Sequence, residues 1–264
     1  MSKITSTTNT WHIAVCRPEP QGNQLASALV DSGYQAITQA FFAIKAVTTA
    51  KEVKQLLQKK QPDIVIFVSS AAVNCAQQAL AIKQWQDFVV SEITFIAVGK
   101  TTKTVLQQYG ITPVVTPQQE NSEGMLNLAK LQQVQQKNIL IVRGDSGREL
   151  LATTLTAKGA LVSYLASYQK IWLKLDPTNI EERWQKNKIN CIVITSVALL
   201  EHLVRLLTAT HSKNYWLKHC AWLVASPRIA KQAKMHNINK VIIANGANTQ
   251  AIIDTISTMD LTND

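Results

Sequence analysis

The sequence predicts an α/β fold of two similar lobes, each a parallel sheet flanked by helices and joined by a two-stranded linker, and three observations lead there. Short apolar runs of strand length alternate with helical patterns that tend to stop at Gly or Asn. The two halves of the chain repeat one another at an offset of 126 or 127 residues. The composition, 46% apolar and only 17% charged over 264 residues, excludes a disordered chain and suits either one large domain or two smaller ones.

Taken in order, Ile13 to Cys16 reads as a buried strand, followed by Arg17-Pro18 and a helix carrying Leu25 and Leu29 before Gly33. Ile64 to Val68 is the next buried run, then Phe95 to Val98, then Val114-Val115, with helices such as the one carrying Val105 and Tyr109 among them. In the second half, Ile139 to Arg143 matches Ile13 to Arg17, and Gly159 matches Gly33. Cys191 to Ser196 falls on Ile64 to Ser69, Trp222 to Ser226 on Phe95 to Gly99, and Asn237-Ile238 on Gly110-Ile111. One residue of slippage across four blocks marks two copies of one unit, and two such lobes imply a ligand cleft between them. Each copy also carries a stretch, 34–47 and 160–173, rich in apolar and aromatic residues without a helical period. It reads either as an ordinary strand in each lobe or as a pair of strands bridging the lobes.

Charge and cysteine usage narrow the setting. The formal charge of +10 calls for an anionic partner without naming it. No apolar run approaches the roughly 18 residues of a membrane span, and Met1 to Thr10 lacks the apolar core of a secretory signal. The four cysteines, Cys16, Cys75, Cys191 and Cys220, form no C-x-x-C pair, so a reduced, cytoplasmic protein is expected. The five histidines show no metal-ligand spacing, and no metal site is expected. Nucleic acid is not expected either: Lys51, Lys54, Lys59 and Lys60 look like a solvated helix face, with no accompanying recognition motif.

In open α/β sheets ligands collect beyond the carboxyl ends of the strands, where the next helix presents unpaired N–H groups. The turns at those places are Arg17-Pro18, Ser69-Ser70, Gly99 to Thr102, Arg143 to Arg148, Thr195-Ser196 and Ser226 to Arg228. Small hydroxyl residues there serve as helix N-caps and can also meet a carboxylate or phosphate. Gly99-Lys100-Thr101 is not a P-loop, because Thr94 stands where the first glycine of that motif belongs. No nucleophile elbow, Cys–His signature or carboxylate pair stands out. Asp145 and Glu149 suit the dipole of the helix they precede. The turns therefore fit a binding module, or an enzyme whose substrate is already reactive and mainly needs holding in one shape.

The residues Ile139 to Leu151, then Lys158-Gly-Ala160, then Ser167-Tyr-Gln169, resemble the R-G-x-x-G-R-E…G-A…Y-Q stretch of uroporphyrinogen-III synthases. Ala14 to Pro18 is similar to that family's opening T-R-P, with Cys16 in place of Thr, and Ile192 to Ser196 matches its second T-S turn. Trp222 to Ala230 and Lys240 to Ala244 match the closing S-x-R-x-A…V-A pattern of the gamma-proteobacterial branch, so the resemblance runs from about Ile13 to Ile256. It implies a monomeric two-domain enzyme without metal or cofactor that cyclises hydroxymethylbilane, an octacarboxylate, with inversion of its D ring. It also implies a crosswise assembly: 1–33 with 173–264 as one domain, 48–159 as the other, and 34–47 with 160–172 as linker strands. Tyr168 resembles the family tyrosine that projects from the linker, which makes it the candidate proton donor to the leaving hydroxyl, the alternatives being that it positions a water or is a structural hinge aromatic. Arg17, Ser69, Gly99, Thr101, Arg143, Gly144, Arg148, Thr195, Ser196, Ser226 and Arg228 are the candidate substrate contacts, and porphobilinogen deaminase is a candidate transient partner. The rival reading is a two-lobed, non-catalytic binding or regulatory protein for a polyanionic ligand.

Overall fold

The computed structural model describes residues 11–147, 149–210 and 212–261. In chain order the elements are β1 (His12–Val15), α1 (Gln21–Asp31), β2 (Gln35–Thr38), β3 (Phe42–Ala46), α2 (Ala50–Lys60), β4 (Ile64–Phe67), α3 (Ser70–Ala79), β5 (Thr94–Ala97) and α4 (Lys100–Gln108). There follow β6 (Val114–Val115), α5 (Ser122–Leu126), β7 (Asn138–Gly144), α6 (Leu150–Ala157), β8 (Leu161–Trp172), α7 (Pro177–Lys186) and β9 (Cys191–Ile194). The chain closes with α8 (Val197–Leu207), α9 (Lys213–Lys218), β10 (Ala221–Val224), α10 (Pro227–Met235), β11 (Lys240–Ile243) and α11 (Thr249–Leu261). It divides into two compact units: unit 1 is Met1–Ala43 with Trp172–Asp264, and unit 2 is Ile44–Ile171.

The strands form a five-stranded sheet, β11-β10-β9-β1-β2, and a six-stranded sheet, β3-β8-β7-β4-β5-β6. Setting β3 aside, the two orders are the same, with β1 and β2 of the first repeat completing β9–β11 of the second, and β7 and β8 completing β4–β6. Even the register repeats. Ile13 lies opposite Cys191, as Ile139 lies opposite Ile64, and Ala221 pairs with Cys191 as Thr94 pairs with Ile64. All of these pairings are parallel, as the strand–helix alternation requires.

Alternation along each strand serves two cores. In unit 2, Val65, Phe67, Leu140 and Val142 pack with Val53, Leu57 and Trp85 on one face. Ile64, Ile66, Ile139 and Ile141 pack with Met125, Leu151 and Leu155 on the other. In unit 1, Ile13, Val15, Cys191, Val193 and Leu223 meet Leu25, Leu29, Ile252 and Ile256, and Ala14, Ile192, Trp222 and Val224 are buried behind them. Sheets covered on both faces need such continuous apolar runs.

The stretches expected as linkers fall out differently in their boundaries. Gln35–Thr38 is an ordinary strand beside β1, and Leu161–Tyr168 pairs with β7 inside unit 2. Only where β3 neighbours β8 does the chain change units, after Ala43 and after Ile171. There Val47 N donates to Ser167 O and Leu173 N to Phe41 O, so the numbers rise on one strand as they fall on the other.

Candidate active site

In unit 2 the carboxyl ends of β7 and β4, and the point along β8 where its pairing with β7 stops, bring Gly144, Ser69 and Tyr168 together. The β7–β8 register slips at this point: Arg143 lies opposite Ala166 but Gly144 lies opposite Tyr168. The residue left over, Ser167, is fully buried, with its Oγ 3.2 Å from the carbonyl oxygens of both Ala72 and Arg143. Asp145 N donates to Tyr168 O at 2.8 Å and closes the bulge. The Tyr168 ring, 8% exposed, lies directly on the Gly144 α-carbon. A Cβ there would meet its Cε2 at 2.8 Å and its Cζ at 2.9 Å, so glycine is what lets the ring sit.

Tyr168 Oη is 3.5 Å from Ser69 Oγ. Ser69 caps α3 by accepting Ala72 N at 3.1 Å, which leaves its own hydroxyl proton to donate elsewhere. Burial raises the Tyr168 phenol above its ordinary value, with the Ser69 contact working the other way, so the side chain keeps its proton at neutral pH. Lys170, two positions along β8, has its amine lowered by burial, against the opposing charge of Asp145.

Two expected contacts in unit 2 are already engaged within it. Arg143, expected to meet substrate carboxylates, donates to Glu149 Oε1 at 2.7 Å and lies 4.8 Å from the Tyr164 ring centroid. Tyr164 Oη donates to Glu149 Oε2. These hydrogen bonds, Tyr164 first and Arg143 second, hold the Glu149 carboxyl below its ordinary range. At Gly99 the amino end of α4 is occupied: Glu120 Oε1 accepts Lys100 N at 3.1 Å, and a Cβ on Gly99 would lie 2.4 Å from Glu120 Oε2. Thr101 is exposed in the first turn of α4. Arg148 lies outside the described residues.

In unit 1 the corresponding edge is formed after β1, β9 and β10. Arg17, half-buried, donates from Nη1 to Ala247 O at 3.2 Å, and desolvation pulls its pKa down. Ser196 Oγ accepts Leu199 N at 3.2 Å and Ser226 Oγ accepts Ile229 N at 3.4 Å, so both cap helices and both retain a donor proton. Thr195 is half-buried at the end of β9, and Arg228 is exposed in the first turn of α10.

No motif in the sequence marks Glu120, Tyr164 or Lys170, and Glu149, which the sequence offers to the helix dipole or as a partner of Arg148, is held by Arg143 and Tyr164. A signal existed for Glu120, whose counterpart one repeat later is Ala247. Among the described residues no group of three or more His, Cys, Asp or Glu side chains is placed to hold a metal ion. Two shallow hollows in unit 1, about 370 and 280 Å³, lie elsewhere. The first is lined by Val204, Leu217 and Met235 at the carboxyl ends of helices, away from the Ser196 and Ser226 caps. No helix is long and apolar enough to cross a membrane among the described residues.

Residues 23–254 match the family described as uroporphyrinogen-III synthase HemD. The chain is 32% identical over 247 residues to the uroporphyrinogen-III synthase of Escherichia coli (strain K12), spanning 91% of this chain and 98% of that one. It is 31% identical over 246 residues to the enzyme of the same name from Salmonella typhimurium, again spanning 91% and 98%. Among solved structures, a mutant uroporphyrinogen III synthase from the extremely thermophilic bacterium Thermus thermophilus matches with a TM-score of 0.62 at 13% identity, over 97% of this chain and 100% of that one. The uroporphyrinogen-III synthetase of Helicobacter pylori 26695 gives 0.60 at 14% identity, over 95% and 99%. At such identities the two structures speak for the fold alone.

Proposed function

The chain belongs to the uroporphyrinogen-III synthase family, and from that premise we propose that it cyclises hydroxymethylbilane to uroporphyrinogen III with Tyr168 as proton donor to the departing hydroxyl. The bilane loses its terminal hydroxyl as water and becomes an electrophilic azafulvene. Left to itself it closes head to tail to the symmetrical isomer I. The enzyme's task is to assist that departure and to hold the chain so that closure passes through a spiro intermediate, which inverts ring D. Water is the only other product, so the step needs no oxidant or reductant, and we assign it no cofactor.

The observation that carries the role of Tyr168 is a buried, protonated phenol seated on Gly144 at the carboxyl edge of a parallel sheet. Its proton can pass to the leaving oxygen as the C–O bond breaks. Ser69, Thr101, Thr195, Ser196 and Ser226 offer hydroxyls, and Arg17 and Arg228 offer charge, to the eight carboxylates. Each charge-assisted hydrogen bond of this kind is worth about 1.5–3 kcal/mol when desolvated, enough in combination to select one folded conformer. We further assign a cytoplasmic monomer that takes its unstable substrate through transient contact with porphobilinogen deaminase, since a short transit limits spontaneous closure.

The test supplies porphobilinogen and porphobilinogen deaminase to the purified protein and resolves the oxidised products. Isomer III in excess over isomer I is the expected result. Isomer I alone contradicts the assignment, and uroporphyrin binding by such an inactive protein would favour the regulatory reading instead.

A further inference from the structure

The two sheet edges are built from equivalent positions but carry different charge. In unit 2 the arginine that ends the strand, Arg143, is neutralised by Glu149 at 2.7 Å, and the Glu120 carboxylate fills the amino end of α4. In unit 1 the positions equivalent to those two glutamates are Asn23 and Ala247. Arg17, the counterpart of Arg143, therefore meets no carboxylate: among the described residues none lies within 4.0 Å of its guanidinium. Glu19, two positions on, is exposed and makes no ion pair at that distance among the described residues. Arg228 stands in the first turn of α10, where the helix dipole opposes a cation, and no ion pair among the described residues offsets it.

The half-buried Arg17 guanidinium has one hydrogen bond to a carbonyl, Ala247 O, and no counter-charge among the described residues, so it keeps donors for a ligand anion. A ligand carboxylate accepts from them. Arg17, Ser196 and Ser226 follow three neighbouring strands, β1, β9 and β10, so the donors share one edge of one sheet. We propose that unit 1 is the carboxylate-receiving half of this enzyme, with Arg17 as its principal receptor, and that unit 2 has internally neutralised the equivalent arginine. This rests on the reading of the substrate as a polycarboxylate tetrapyrrole, and it assigns to one half a task that the repeat alone would divide equally.

The test is equilibrium binding of uroporphyrin I, an unreactive octacarboxylate, by fluorescence, with melting curves to confirm that each variant folds. Arg17→Gln should weaken binding by about 10- to 100-fold and Arg17→Lys should recover much of it, as expected for a lost charge-assisted bond. Ala247→Glu, on an exposed loop position, places beside Arg17 the carboxylate that unit 2 has at Glu120, and should weaken binding as well. Arg143→Gln should change it by less than about threefold, because that guanidinium is already paired. Wild-type affinity in folded Arg17→Gln or Ala247→Glu, an Arg143→Gln effect as large as that of Arg17→Gln, or no binding to the wild type overturns the proposal. If the wild type makes isomer III while Arg17→Gln binds normally, the receptor assignment fails and the activity stands. If no isomer III forms but Arg17→Gln still loses uroporphyrin, the activity fails and the receptor stands.

Discussion

The Tyr168 phenol is a weak acid that already holds its proton at neutral pH, and desolvation raises its pKa further, so the donor role proposed for it draws on placement against the leaving oxygen and not on acid strength. Tyr168→Phe removes the proton while keeping the ring on Gly144, so kcat for isomer III should fall about 100-fold or more, the usual weight of a general acid. Unchanged turnover would dispose of the role. Burial acts in the same direction at the cysteines. Cys16, Cys75, Cys191 and Cys220 are all buried and free, and the thiols of Cys191 and Cys220 are pushed up to about 12. Native protein should therefore resist a thiol-titrating disulfide reagent and react fully only on unfolding; rapid labelling of the folded protein would contradict this. His202 adds a pH dependence. Its ring stacks on Trp172 at 4.1 Å, its Nε2 is buried with no partner among the described atoms, and burial followed by the charge of Arg205 lowers its pKa. A base with a depressed folded pKa contributes stability above about pH 6.5 that is lost as pH falls further. The melting temperature should drop between about pH 7 and pH 5 more steeply in the wild type than in His202→Phe; parallel curves would show that His202 is not the cause.

Among the elements, the end of β7 shows most clearly what the sequence hides. The motif around Arg143 is legible as a turn, and the small hydroxyls are legible as caps, because both depend on residues a few positions apart. The bulge is not, since it depends on whether Ser167 finds the Ala72 and Arg143 carbonyls across two other elements. The partner of Arg143 is likewise six positions along, but only the turn between them brings Glu149 back to the guanidinium. Gly144 reads as a flexible turn residue, yet its use is close approach to an aromatic ring. Gly144→Ala should displace that ring and reduce kcat sharply, while overpacking costs about 1–3 kcal/mol of stability in thermal unfolding. Full activity in that variant would mean that the ring position does not matter.

On the scale of the whole molecule, the repeat was visible because buried parallel strands must be apolar throughout and end in short, patterned turns. The exchange of β1 and β2 for β7 and β8 was not visible in the residues and came only with the family resemblance. Equivalent strands such as β1 and β7 fit either neighbour, and the observed registers are the same in both sheets. What distinguishes the halves is charge: glutamates at 120 and 149 in one, Ala247 and Asn23 in the other. On the proposed reading, unit 2 supplies the proton through Tyr168 and unit 1 carries the principal carboxylate receptor, Arg17. The most direct test measures kcat and KM for isomer III formation in Tyr168→Phe and Arg17→Gln side by side. Tyr168→Phe should lower kcat with KM nearly unchanged, and Arg17→Gln should raise KM with kcat nearly unchanged. Both variants moving the same parameter, or each moving the other's, would contradict that division.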